Sequence, residues 1–538
     1  MNMTAETHIR RPLRTSLPAL VLGAASLLIV PVALGGCTVG PDFTPPQVAV
    51  PAHWRAARDP RLATRAAADS RWWKRFDDAM LDYLVEIAYL KNLPLRVAGL
   101  RIAEARARYG IVVGEQFPQH QEVFAAGTAV GLSDNAANRG TGPRHFGDFQ
   151  TGFDAAWELD FWGKYRRGVE AEAASLLASV ADYYSAIVAL TAEVARTYVD
   201  IRMLQVLIEQ YEQNVRVQEE GLAIAQSRYQ NGAASELDPS QARTLLESTR
   251  ASLPKLRNDL GAARNALSTL LGQPPGSVDA LLAGPKVVPK APATVAVGLP
   301  AEILRRRPDI RSAELSAAAQ CARIGIAEAA LYPSFSLTGT IGIQSAITSD
   351  GIRNPFSTDS IFYAAGPRID WSILNYGRIT NAVRVEDARF QQLLVTYRDT
   401  VLRATQEVED AQAGFLHTQE AMGIEQTAVA AAERSVHLAL VQYREGATDY
   451  QRVLDAQRAL LEQQNNLIRT TASVATNLIA LYKALGGGWE PRQGQAVVPE
   501  RMQREMKERT DWGDLLAEPR SPEAKRKTPP PAKQSAKR

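Results

Sequence analysis

One long segment of this chain occurs twice. A shift of 214 positions lays Trp157 on Trp371, Gly163 on Gly377, Glu172 on Glu386 and Tyr183 on Tyr397. Without a gap, the same shift lays Glu193-Val194 on Glu407-Val408, Tyr229 on Tyr443 and Gly232-Ala233 on Gly446-Ala447. Further on it lays Leu253 on Leu467 and Leu271-Gly272 on Leu485-Gly486, while upstream Phe117-Pro118 matches Tyr332-Pro333 at an offset of 215. Each copy reads helix, strand pair, very long helix, turn, helix. Such a duplication builds a pseudo-symmetric body rather than a catalytic pocket. It points to transport or scaffolding.

The charge is unevenly placed. The whole chain carries a formal +3, but residues 491–538 alone carry +5 and the first 36 residues +2. The body between them is therefore at −4. Nucleic acid is not an expected partner for such a surface.

Residues 1–36 read as a secretory signal: Arg10, Arg11 and Arg14 precede an apolar run from Leu17 to Leu34. Leu34-Gly35-Gly36-Cys37 then fits a bacterial lipobox, in which the Cys37 thiol takes a diacylglyceryl group before cleavage. Several acyl chains anchor stably, since each buried methylene contributes about 0.8 kcal/mol. A plain signal with an incidental cysteine is the competing reading. The Arg10-Arg11 pair sits in surroundings that fit a twin-arginine signal poorly. Thr38, not Asp, follows the cysteine, which by resemblance to such lipoproteins favours the outer membrane. The other cysteine, Cys321, lies among alanines and reads as a small core residue.

After residue 36 no stretch offers 18 consecutive apolar residues. A membrane-spanning element would therefore be a β-barrel. Phe149, Phe153, Ala155, Trp157, Leu159 and Phe161 recur at period two, as do Phe335 to Ile343 and Ile361 to Ile373. A weaker strand covers about Gln121–Leu132. Alternating segments of roughly ten residues joined by polar loops carry the transmembrane barrel pattern. A soluble antiparallel sheet with one wet face alternates in the same way.

The helices are expected to be long. Gly163 to Asn231 holds no proline, and Gly377 to Glu445 repeats this. About 70 residues at 1.5 Å rise make a rod of roughly 100 Å. An apolar stripe from Tyr183 through Ile187, Val194, Tyr198 and Ile201 to Val215 recurs about every 3.56 residues, close to coiled-coil packing.

The expected organisation is a signal (1–36), a lipidated N-terminal segment (37–75), a first repeat (76–272, strand pair about 119–161) and a Pro/Gly-rich linker (273–300). A second repeat (301–488, strand pair about 334–374) and a Lys/Pro-rich tail (489–538) follow, the tail expected to be disordered. No Gly-x-Ser-x-Gly, phosphate-binding loop, dinucleotide fingerprint or His-Glu-x-x-His is present. The six histidines are scattered without ligand spacing. No cofactor, metal or enzymatic activity is expected.

Several motifs together resemble one family. Cys37-Thr-Val-Gly-Pro-Asp-Phe-Thr-Pro-Pro46 resembles the mature start of outer-membrane efflux lipoproteins. Leu304-Arg-Arg-Arg-Pro-Asp-Ile-Arg-Ser-Ala-Glu314, Ile324-Gly-Ile-Ala-Glu-Ala-Ala-Leu-Tyr-Pro-Ser334 and Leu481-Tyr-Lys-Ala-Leu-Gly-Gly-Gly-Trp489 are close to its recognisable motifs. Over about residues 37–490 the chain looks like an outer-membrane factor of a tripartite efflux pump, of the TolC/OprM/NodT-like group. The resemblance implies an α+β fold in a homotrimer. Four strands per protomer, twelve in all, would form a transmembrane β-barrel continued by a long periplasmic α-helical barrel. It also implies an inner-membrane pump and a periplasmic adaptor as partners, and drugs or metabolites as cargo. A type I protein-secretion channel and a non-conducting scaffold lipoprotein are the alternatives.

Two turns are implied to form the periplasmic tip and meet the adaptor. Arg228, Tyr229, Gly232 and Ser235 mark the first; Tyr443, Arg444, Gly446 and Asp449 mark the second. The family's closed aperture is lined by an Asp and an Arg that carry over to Asp455 and Arg458. Gln451 stands where the family usually has Leu, a departure in the apolar part of that gate.

Overall fold

The computed structural model describes residues 37–63, 70–135, 137, 143–301, 306–348 and 351–516. The signal, Leu304-Arg305 of the Arg-rich motif and the tail beyond Leu516 lie outside them. Along the chain the strands are β1 (Leu62–Ala63), β2 (His120–Gly131), β3 (His145–Leu159), β4 (Val295–Ala296), β5 (Ser334–Thr348), β6 (Gly351–Ile352) and β7 (Ile361–Asp370). The α-helices are α1 (Ala79–Lys91), α2 (Leu93–Gly114), α3 (Lys164–Gln230), α4 (Leu237–Leu270), α5 (Pro308–Ala329), α6 (Arg378–Arg444), α7 (Tyr450–Ala484) and α8 (Glu500–Arg509).

The duplication is visible in the backbone. Helices α3 and α6 each have 67 residues, and both ends coincide at the 214 shift. Helices α2 and α5 each have 22 residues and coincide at 215. Two compact units result, both discontinuous in sequence.

The first unit joins residues up to Thr44, Arg108–Ala173 and Ala318–Gln391. Its sheet runs β2-β3-β5-β7, antiparallel throughout, with the two-residue β6 beside one end of β5. The register places Val123, Phe153, Ile341 and Tyr363 in one rung and Trp157 beside Leu337 in another. All six are exposed. One sheet face is thus apolar and uncovered in the single chain. The opposite face carries Glu122, Asp154, Gln150 and Gln344, as period-two alternation requires.

The second unit joins Pro45–Ala107, Ala174–Ala317 and the chain from Gln392. Its core packs the apolar sides of α1, α3, α4, α6 and α7. The stripe is buried from Tyr183 through Ile187, Val194 and Tyr198 to Leu204, and only partly from Ile208 onward. An 18-residue window of α3 is apolar enough to cross a membrane. Its stripe is instead covered by protein, as in a packed helix.

Two expectations need correction here. The segment 273–300 does more than connect: Val278, Leu282, Val288, Val295 and Val297 enter the core, and β4 pairs in parallel with β1. The tail is not wholly without structure. Helix α8 forms, and Val498, Met506 and Leu516 close a small cluster with Ala103 of α2. Composition hid this, because a few well-placed apolar residues stand among many charges.

Candidate functional site

The two glycine turns have one backbone. In the first, Gly232 N–H donates to Tyr229 O and Ala233 N–H to Arg228 O, at 3.0 and 2.8 Å. In the second, Gly446 N–H donates to Tyr443 O and Ala447 N–H to Gln442 O, at the same distances. This is the Schellman termination, and its left-handed residue is glycine both times, at φ 70° and 78°.

Their side chains differ. Arg228, at the end of α3, reaches across to the second turn. Its Nη1 donates to Tyr443 O (2.6 Å) and Arg444 O (3.1 Å), and its guanidinium lies 4.9 Å from the Tyr443 ring centre. Tyr443 Oη donates to Asp238 Oδ2 on α4 at 2.8 Å, and its ring meets Tyr450 edge-on. Burial, with the Asp238 carboxylate adding to it, pushes the Tyr443 phenol well above its ordinary range. Burial likewise pushes Tyr450 up to about 12. Tyr443 is only 2% exposed, whereas its counterpart Tyr229 is 44% exposed. Tyr443 and Arg228 therefore hold the two hairpins together, and their side chains are engaged within this chain. Tyr229, Gly232, Ser235, Arg444 and Gly446 remain open. Arg444 lies 3.5 Å from Glu220, and Asp449 caps α7 by accepting from Arg452 N–H.

Asp455, Arg458 and Gln451 lie together on an exposed face of α7. Gln451 Nε2 donates to Asp455 Oδ1 at 2.9 Å, and Arg458 Nη1 stands 4.0 Å from the same oxygen. An exposed pair at that distance adds little stability by itself.

Cys37 is exposed at the start of a strap that is closely held within the first unit. Val39 N–H donates to Trp162 O. The buried Arg167 donates to Val39 O, Gly40 O, Asp42 and Glu170. Cys321 is buried behind the strap, with Sγ 3.5 Å from Pro41 O, and burial raises its thiol pKa.

The Arg-rich motif is also structural. Arg307 donates to Ala484 O (2.7 Å) at the end of α7 and binds Asp309 and Glu407. At the matching place of the first copy, Asn92 donates to Leu270 O (2.8 Å). Sequence reasoning missed both this pair and the Arg228 clamp. Asp238 was the only available clue to the clamp, being a carboxylate where the second copy has Arg452.

Residues 84–273 and 299–487 each match the family described as outer membrane efflux protein. The chain is 31% identical over 465 residues to the cation efflux system protein CusC of Escherichia coli O6:H1, covering 86% of this chain and 98% of that one. It is 32% identical over 475 residues to the probable efflux pump outer membrane protein TtgC of Pseudomonas putida, covering 88% and 96%. Among solved structures, the outer-membrane channel OprN superposes with a TM-score of 0.79 at 32% identity, over 85% of this chain and all of that one.

Proposed function

The chain belongs to the outer membrane efflux protein family, and from that premise we infer how it works as the outer-membrane channel of an efflux system. Three copies close their sheets into one transmembrane barrel. The observation that carries this is the sheet itself. It has four long strands, an exposed apolar face, and β2 and β7 paired on one side only among the described residues. Open edges are not tolerated within hydrocarbon, and a large exposed apolar face is not tolerated in water, so the edges must be covered by further strands and the face by lipid. Two copies would give eight strands, which fill their interior with side chains at about that size. Three give twelve and leave an aqueous lumen.

The helices continue this tube into the periplasm, and an acylated Cys37 anchors it. The open residues of the two turns receive the adaptor of the pump complex. Small molecules such as drugs or metabolites pass through without covalent change. At the narrow end, three copies of Asp455 and Arg458 converge. An exposed pair that is weak in one chain gains strength where charges are crowded and water is confined. Gln451 holds the Asp455 carboxylate in place beside Arg458.

Planar-bilayer recording tests this reading. The purified trimer is expected to conduct, and Asp455→Ala combined with Arg458→Ala is expected to raise single-channel conductance. Wild-type conductance should also rise with salt beyond the bulk trend, because screening weakens the same contacts. A double variant that conducts like wild type at every salt concentration removes these residues from the gate.

A further inference from the structure

One rung on the polar face of the sheet is out of character. Phe124, Gly152, Gly342 and Phe362 lie side by side across β2, β3, β5 and β7. The two central positions are glycine. A Cβ on Gly152 would stand 2.9 Å from Phe124 Cζ, and one on Gly342 would stand 2.8 Å from Phe362 Cζ. Each ring therefore leans over the glycine of the next strand, covering its backbone, as an aromatic does when it rescues a glycine in a sheet. Both phenylalanines are half-buried although they sit on the outer strands. By strand register both stand on the polar face of the sheet. The neighbouring rung on the same face, about 7 Å away along the strands, carries the Glu122 and Asp154 carboxylates as cross-strand partners.

We propose that this aromatic rung and its acidic neighbour form a transit site for amphipathic organic cations. It rests on the reading of the polar face as the channel lumen, where three copies would set six phenyl rings beside six carboxylates. A delocalised cation is drawn to the negative face of an aromatic ring, and carboxylates one rung away neutralise its charge without binding it rigidly. A neutral solute gains only the apolar contact, and a small hydrated ion only the charge. The pairing of the two rungs therefore favours solutes that carry both features.

The test records single-trimer currents with tetraphenylphosphonium as the probe. Benzyl alcohol and magnesium ions serve as the neutral aromatic and the compact hydrated-cation controls. Wild type is expected to show concentration-dependent interruptions with tetraphenylphosphonium, and far weaker ones with either control. Phe124→Leu with Phe362→Leu keeps apolar bulk over the glycines but removes the rings. It should raise the blocking concentration roughly tenfold, the scale of one or two cation–π contacts. Glu122→Gln with Asp154→Asn should raise it as well and flatten its salt dependence. Open-channel conductance in the wild-type range certifies that each barrel has formed. If conducting Leu variants are blocked as wild type is, or if benzyl alcohol blocks equally well, the transit site is wrong while the channel stands. A trimer that never conducts overturns the channel reading and this inference together.

Discussion

The two helix turns at residues 228–235 and 442–449 share hydrogen bonds to within a tenth of an ångström, yet they do different things. The first keeps Tyr229 open; the second buries its counterpart Tyr443 beneath Arg228 and against Tyr450. At the matching positions, Arg228 faces Gln442, Asp238 faces Arg452 and Leu237 faces Gln451. The pair proposed as the gate has no counterpart either, since Gln241 and Thr244 stand where Asp455 and Arg458 do. Duplication preserved the backbone, whose glycines leave little freedom. The side chains diverged: Arg228 of the first hairpin clamps the second, and only the second is followed by the Asp455–Arg458 pair proposed above as the gate.

The strongest way to break this comparison is at the helix-end clamps, where both copies solve the same problem. Arg307 and Asn92 each satisfy a carbonyl at the end of a long helix, Ala484 O and Leu270 O. Arg307 also ties two carboxylates. Removing it leaves charges without a partner, which costs about 3 kcal/mol when the others remain partly exposed. Asn92→Ala loses two neutral hydrogen bonds, one given to Leu270 O and one accepted from Leu95 N–H, and should cost about 1–2 kcal/mol. Thermal unfolding of the two variants is the check. An Asn92→Ala variant as unstable as Arg307→Ala would mean that the copies contribute equally.

The tail sharpens the contrast, because the segment after the second repeat packs a separate small cluster onto α2, whereas that after the first enters the main core. A stop after Leu516 should leave thermal stability unchanged. A stop after Trp489 removes Val498, Met506 and Leu516 and uncovers Ala103. That loss should amount to about 2–4 kcal/mol. Equal melting temperatures for the two truncations would return the tail to the unstructured class.

What the sequence made legible follows from which interactions are periodic. The duplication, the long helices, the four strands and both glycine turns were readable, because each writes a repeating pattern into the chain. The strand ends fell within a few residues of expectation. Contacts between distant segments write no such pattern. Nothing local says that Arg228 will cross to Tyr443 O, or that Arg167 will hold the strap behind Cys37. The tail failed for a related reason. Composition averages over residues, whereas the packing of α8 depends on three of them.

The Arg228 clamp offers a smaller and more local test. Arg228→Ala leaves Tyr443 O and Arg444 O without their side-chain donor and strips a cation from the Tyr443 ring. The expected cost is about 2 kcal/mol, confined to the tips. Hydrogen exchange over residues 443–450 should accelerate, with the strands unaffected. The exposed counterpart Gln442→Ala should change nothing measurable. If the two variants exchange alike, the asymmetry between the turns is only apparent.

The smallest effect is one of pH, and its sign follows from burial. In the folded tip, Tyr443 is held above the ordinary tyrosine value and Tyr450 is pushed up to about 12. An unfolded tyrosine releases its proton near pH 10. Below that value both states are protonated and the tip has its full stability. As pH rises past about 10, the unfolded chain loses protons that the folded tip still holds, so stability falls through the value near 12. The Asp238 carboxylate makes the trend steeper, since a phenolate beside it would be repelled and could no longer donate. Phenolate absorbance should therefore lag in the native protein, and the tip should loosen over the same interval in which the buried phenols ionise. Tyr450→Phe removes one of the two groups and should flatten the high-pH loss while leaving the neutral-pH structure intact, because the Tyr450 hydroxyl has no partner of its own. Should Tyr450→Phe loosen over the same pH interval as wild type, Tyr443 alone governs the response. The Arg228–Tyr443–Asp238 chain would then be the whole of what distinguishes the second turn from the first.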